Sequence, residues 1–155
     1  MRYKDFEMEF GRRIEEARDE AEVELSILFD SKHSLTLEEQ RILRLAQVSP
    51  RAAVIESWRL VESAAMQTAN RLISGEFNKK TMTFQAIKKL EKDAQIGSSA
   101  VSLMRELRSL RNDAAHAPEF ALSRAAVIDY AATAGWLISY LENLKAPNKV
   151  ERSTK

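Results

Sequence analysis

Apolar residues recur at steps of three and four along almost the whole chain, a period that admits helices and little else. Phe10, Ile14, Ala17, Ala21, Leu25 and Leu28 form a first stripe. Val54, Trp58, Val61, Ala65 and Leu72 form a second, which Ile55, Met66 and Ile73 widen into a face broad enough to pack on more than one side. Ala100, Leu103, Leu107, Leu110 and Ala114 make a third, and Val127, Ala131, Ala134, Ile138, Leu141 and Leu144 a fourth. With only 4 glycines and 3 prolines, the chain lacks the turn residues of a loop-rich β architecture. The expectation is an all-α fold, an antiparallel bundle of four main helices plus shorter ones.

The punctuation between stripes agrees. Thr36 caps a short helix to about Ala46, with Glu39 completing a capping box. Ser49-Pro50 supplies an N-cap and a first-turn proline for a long helix to about Ser74, and Gly75 stops it. Residues 75–82 read as a loop. Thr83 to about Gln95 reads as a short helix with Phe84, Ile87 and Leu90 inward. Gly97-Ser98-Ser99 then offers a cap for a helix from about Ser99 to Ala115, which Pro118 ends, and Ser123 caps a last helix to about Lys145. Phe6, Met8 and Phe10 alternate with acids, a brief strand-like pattern. Asp30 to Ser34 reads as a loop that leaves His33 on plain surface. The domain reading is an acidic N-terminal leader and helix over 1–30, a helical domain over 31–145, and a disordered tail over 146–155.

Hydrophobic residues make up 45% of the 155, enough for one domain with one core. The absence of cysteine excludes disulfides, thiolate metal sites and cysteine nucleophiles, and fits a reducing, cytoplasmic setting. No signal peptide is visible, and the longest apolar run, Ala125 to Leu141, contains Asp129 and is too short and polar to span a bilayer. The net charge of +1 is uneven: residues 1–30 carry ten acidic and five basic side chains, which leaves the remainder moderately basic. That distribution suits a nucleic-acid partner and equally a solvated acidic helix on an ordinary domain.

One segment carries chemistry: Arg111-Asn112-Asp113-Ala114-Ala115-His116. It joins an always-charged guanidinium to a group that titrates near neutrality. Asn112 and Asp113 share a helical face with His116, whereas Arg111, five residues away, is turned by about 140°. Convergence of Arg111 and His116 within one chain needs a frayed last turn. Asp113 is a candidate to fix the imidazole tautomer, Asn112 to orient the ring or hold a phosphate oxygen, and Arg111 to grip a phosphate. Without metal or cofactor, such a set supports acid–base catalysis with electrostatic stabilisation. RNA brings its own nucleophile, the 2′-hydroxyl, so the set points to RNA. One histidine supplies a base or an acid but not both, so a two-fold dimer is part of the expected mechanism. Arg105, Arg108 and Arg111 form a drifting basic band that either tracks an RNA backbone or pairs with glutamates on a neighbour. Glu56 and Glu62 are candidate partners for that band.

The Arg-x4-His pattern with a polar residue directly after the arginine, at the end of the penultimate helix of a small α-bundle, resembles the HEPN superfamily (higher eukaryotes and prokaryotes nucleotide-binding). Leu107 to His116 is similar to its signature segment, and Ser49 to Glu62 to the long first core helix of a largely uncharacterised prokaryotic HEPN-like clade. The resemblance spans about residues 49–145. Arg2 to Phe10 is similar to a segment that often precedes this domain, sometimes after a membrane anchor, and no anchor stands here. The resemblance implies a bundle of HEPN type and a metal-independent, homodimeric endoribonuclease whose products end in a 2′,3′-cyclic phosphate. It implies roles in toxin–antitoxin, phage-defence or RNA-processing systems, with an antitoxin or other protein as a possible partner. Arg111 and His116 take the two motif positions and Asn112 the favoured polar one, supported by Asp113 and Arg108. Some members keep the fold without nuclease activity, so a non-catalytic dimerisation, RNA-binding or protein-interaction module is the alternative. In the plainest reading His116 caps helix carbonyls and Arg111 sits in a surface salt bridge. Trp58 and Trp136 read as core. For Tyr130 and Tyr140, core and dimer interface remain open.

Overall fold

The computed structural model describes residues 3–25, 36–72, 83–92, 96–118 and 121–144. Among them are six helices and no strand: α1 (Tyr3–Leu25), α2 (Leu37–Val48), α3 (Pro50–Leu72), α4 (Thr83–Lys92), α5 (Ser98–His116) and α6 (Arg124–Asn143). The protein is therefore an all-α bundle of four long helices, α1, α3, α5 and α6, and two short ones. His33, the loops at 30–34 and 75–82, the Gly75 stop and the tail at 146–155 lie outside the described residues.

Local chemistry sets the helix starts. The Thr36 hydroxyl accepts from the Glu39 amide at 3.1 Å while the Glu39 carboxylate accepts from the Thr36 amide, a complete capping box. Ser49 accepts from the Ala52 amide just before Pro50 opens α3, and Ser123 accepts from the Ala126 amide at the start of α6. α5 starts within the Gly97-Ser98-Ser99 stretch read as its cap: the cap is Gly97, which makes no side-chain bond, and Ser98 is already helical. The Gly97 amide donates instead to the Tyr140 hydroxyl of α6 at 3.1 Å.

The strand-like reading of Phe6 to Phe10 is overturned, because α1 is helical from Tyr3. Phe6 and Phe10 are four apart and stack on one helical face, with ring centroids 6.2 Å apart, while Met8 between them is 72% exposed. Two aromatics at i and i+4 mimic alternation in so short a window.

The core forms where the stripes meet. Phe10, Ile14 and Ala17 bring α1 into the same buried cluster as Val54, Val61, Leu107, Leu110, Tyr130 and Leu137, so the leader lies against the bundle. Phe10 packs on Tyr130 at 5.9 Å between centroids. Trp58, Trp136, Tyr130 and Tyr140 are all buried. The Tyr130 hydroxyl donates to the Leu107 carbonyl at 2.8 Å, which ties α6 to the middle of α5. α3 and α6 finish side by side: Thr68 donates to the Leu141 carbonyl, and Arg71 donates to the carbonyls of Leu141 and Leu144. Arg71 thereby satisfies carbonyls that the end of α6 leaves open. α5 runs opposite to α3, because Arg51 at the start of α3 reaches Ala117 just past the end of α5.

Candidate functional site at the end of α5

α5 distributes its polar residues over three directions. Glu106, Ser109 and Asp113 stand three and four apart and face α1. There Arg13 donates to Glu106 Oε1 at 2.5 Å, to Ser109 Oγ at 2.8 Å and to Asp113 Oδ2 at 2.8 Å. Burial works to lower the Arg13 pKa, but the hydrogen bonds and charges of Glu106 and Asp113 outweigh it and leave it above its ordinary value. Asp113 is thus held by α1. Among the described residues it makes no hydrogen bond to His116, which corrects the expectation that it fixes the imidazole.

Arg111 takes the second direction. Its side chain is half-buried, its Nη1 donates to Asn112 Oδ1 at 2.8 Å, and its Nε is buried with no partner. It forms no ion pair among the described residues. Other half-buried arginines are treated differently: Arg13 sits against two carboxylates and Arg18 lies 3.9 Å from Asp129. The guanidinium of Arg111 acts on the Tyr130 phenol. Burial pushes that phenol far above its usual range, the Arg111 charge opposes the shift, and the Glu62 charge adds to it. Arg111 is thus within electrostatic reach of Tyr130 of α6. Asn112 fixes its guanidinium rather than a histidine ring.

His116 takes the third direction. It is exposed and forms no hydrogen bond or ion pair among the described residues. The plainest sequence reading, a capping histidine beside a salt-bridged arginine, therefore finds neither contact. Ala117 follows as an extended residue with φ −87° and ψ 151°, and its amide bonds back to the Ala114 carbonyl at 3.2 Å. Pro118 imposes that extended geometry on the residue before it. α5 stays helical through His116, so the last turn does not loosen and the angle of about 140° between Arg111 and His116 stands.

Arg51, in the first turn of α3, was not singled out from sequence. Its Nη1 donates to the Ala117 carbonyl at 3.1 Å, setting a second guanidinium at the negative end of the α5 dipole. The available signal was its place one residue after a first-turn proline in a helix that packs against α5. The basic band is split. Arg105 lies 3.8 Å from Glu91 of α4, and Arg108 is exposed on the same helix. Glu56 serves Arg41 and Arg59, both at 2.6 Å, and not the band. The hydrogen bond from Arg59 leads, and with the charges of Arg59 and Arg41 it outweighs burial, holding the Glu56 carboxyl below the usual range.

Among the described residues no group of three His, Cys, Asp or Glu side chains is placed to hold a metal ion, and no helix is long and apolar enough to cross a membrane. No curated protein and no solved structure matches the chain. A family described as "Domain of unknown function (DUF4145)" matches residues 40–152, from within α2 to beyond α6. That match takes in most of the sequence, including the whole of α3, α5 and α6 and with them Arg51, Arg111 and His116, and the chain belongs to the DUF4145 family.

Proposed function

We propose that this protein is a metal-independent endoribonuclease of HEPN type that acts as a homodimer, with Arg111 and His116 as its catalytic residues and Asn112 positioning Arg111. The state of Arg111 carries the reading. A half-buried guanidinium with no carboxylate partner among the described residues and an orphaned Nε is a poor structural element and a ready phosphate ligand. A phosphodiester brings the missing anion. The neighbouring 2′-hydroxyl attacks the phosphorus, the 5′-oxygen leaves, and a 2′,3′-cyclic phosphate forms. His116, open to solvent, takes the 2′-hydroxyl proton, water protonates the departing 5′-oxygen, and Arg111 holds the charge that builds on the phosphoryl oxygens. Because the two side chains diverge on one helix, we assign the complete site to two chains, with Arg51, Arg105 and Arg108 along the RNA backbone. A toxin or phage-defence setting with an antitoxin partner belongs to the same proposal and rests on the resemblance of Leu107 to His116 alone.

The test is cleavage of single-stranded RNA in EDTA by the parent protein, Arg111→Met and His116→Ala. Activity lost in both variants, with cyclic phosphate ends in the parent's products, is the expected result. Equal activity in parent and His116→Ala refutes the catalytic assignment. The unbroken helix through His116 favours a second reading, a non-catalytic module that dimerises or binds RNA, which predicts a stable dimer and no cleavage by any of the three proteins.

A further inference from the structure

A cavity of about 350 Å³ opens between α2, α3 and α6 and shares no residue with the end of α5. Its walls include Ile42, Leu60, Ala64, Ala134 and Ile138. That size and lining fall within the range of small-molecule sites.

Two polar features are built into it. Ser57, 2% exposed, lines the cavity, and its Oγ has no hydrogen-bond partner among the described residues. Buried hydroxyls elsewhere in the bundle bond back to the carbonyl four residues earlier: Thr68 to Ala64 and Thr133 to Asp129, each at 2.7 Å. Ser57 has the same option in α3 and does not take it. The second feature is the seat of Glu39. A Cβ on Gly135 would stand 2.8 Å from Glu39 Oε1, so the glycine in α6 is what lets this carboxylate lie against the wall. Glu38 and Glu142 also line the cavity, and among the described residues no Lys, Arg or His does. The site thus has apolar walls, one unused hydroxyl and, among its described lining residues, acidic charges, of which Glu38 also lies 3.6 Å from Arg41.

We propose that this cavity binds a small amphiphilic cation, a protonated amine on a hydrocarbon body. The body lies on the apolar walls, and the ammonium donates to Ser57 Oγ in the field of Glu39 and its neighbours.

The probes are n-octylammonium, n-octanol and n-octanoate, titrated into the full chain below their micelle concentrations and followed by calorimetry and amide chemical shifts. Octylammonium is expected to bind one-to-one, about tenfold tighter than octanol, the size of one charge-assisted hydrogen bond, with octanoate weakest. Glu39→Gln keeps the capping box, because glutamine serves there too, and brings octylammonium down to the octanol level. Gly135→Ala does the same by displacing only the end of the Glu39 side chain; if it fails to fold, Glu39→Gln decides alone. Ser57→Ala weakens octylammonium without lowering the melting temperature. Absence of saturable binding, or equal binding of the three probes, overturns the proposal. So does Ser57→Ala lowering stability with binding unchanged, or sedimentation showing that a second copy of the chain covers the cavity and excludes octylammonium.

Discussion

Replacing Arg13 by methionine keeps the apolar stem and removes the bonds from Arg13 to Glu106, Ser109 and Asp113 that tie α1 to α5. The Arg13 side chain is 20% exposed, against 34% for Glu106 and 47% for Asp113. The Glu106 bond is the most sheltered and contributes about 1–1.5 kcal/mol, towards the low end for charge-assisted bonds. Asp113 stands half in solvent, so its share is discounted to about 0.5 kcal/mol. Ser109 adds roughly another 0.5 kcal/mol as a neutral acceptor. The two carboxylates left behind rehydrate where they stand, so the larger penalty of a stranded buried charge does not apply. The expected loss is about 2 kcal/mol, a fall of about 4–8 °C in melting temperature for a chain of this size. Urea and thermal unfolding of Arg13→Met, Glu106→Gln and the double variant measure it, with a coupling energy of about 1 kcal/mol between the pair. Because the pair is partly sheltered, about 0.5 M salt should remove less than half of that coupling. Arg13→Met within about 0.3 kcal/mol of the parent, or strictly additive variants, would refute the view that this clamp holds α1 in place.

Two further stability predictions bear on the residues around Arg111. Tyr130→Phe loses one buried hydrogen bond and costs about 1 kcal/mol at neutral pH. Burial holds the folded phenol protonated, whereas the unfolded one ionises near pH 10, so the parent binds more protons folded than unfolded and loses about 1.4 kcal/mol per pH unit above that point. The variant lacks that slope. The two unfolding free energies should therefore converge as pH rises through about 11, and parallel curves would contradict the assignment. His116→Ala should leave stability within about 0.5 kcal/mol, and Arg111→Met should leave it unchanged or raised, because neither side chain has an ionic partner among the described residues. A large loss in the Arg111 variant, read by urea unfolding, would mean that the guanidinium is structural.

Periodicity carried most of the fold into view. Every member of the Ala100 to Ala114 stripe is buried, as are Val54, Trp58, Val61 and Ala65 of α3, because a helical stripe facing a core reports burial directly. Caps were readable to the residue where a side chain makes the bond, as at Thr36, Ser49 and Ser123, and only to a three-residue stretch at α5, where the cap Gly97 makes none. The candidate site was legible only as a list of residues. Asp113 and His116 share a face, and no local rule foretells that Arg13, a hundred positions earlier, takes Asp113 first. Arg51 escaped for the same reason: its contact with Ala117 exists only through the antiparallel meeting of α3 and α5.

The regular end of α5 turns the proposed nuclease site into a question about two chains. For Arg111 and His116 to meet within one chain, the last turn must unwind. That withdraws Ala117, 8% exposed, from its packed position and breaks the bond from Arg51 to its carbonyl. Joining His116 of one chain to Arg111 of another needs no such rearrangement, since His116 is already on the surface. The two arrangements separate in a complementation assay. Arg111→Met and His116→Ala, each inactive alone, are unfolded together, refolded at equal concentrations and assayed on RNA in EDTA. In a two-chain site, half of the dimers are mixed, and each mixed dimer rebuilds one of its two sites, so about a quarter of the parent activity should return. In a one-chain site every protomer lacks one of the two residues whatever its partner, and the mixture stays as inactive as its components. No recovery from a mixture shown by native mass spectrometry to contain mixed dimers would refute the shared site.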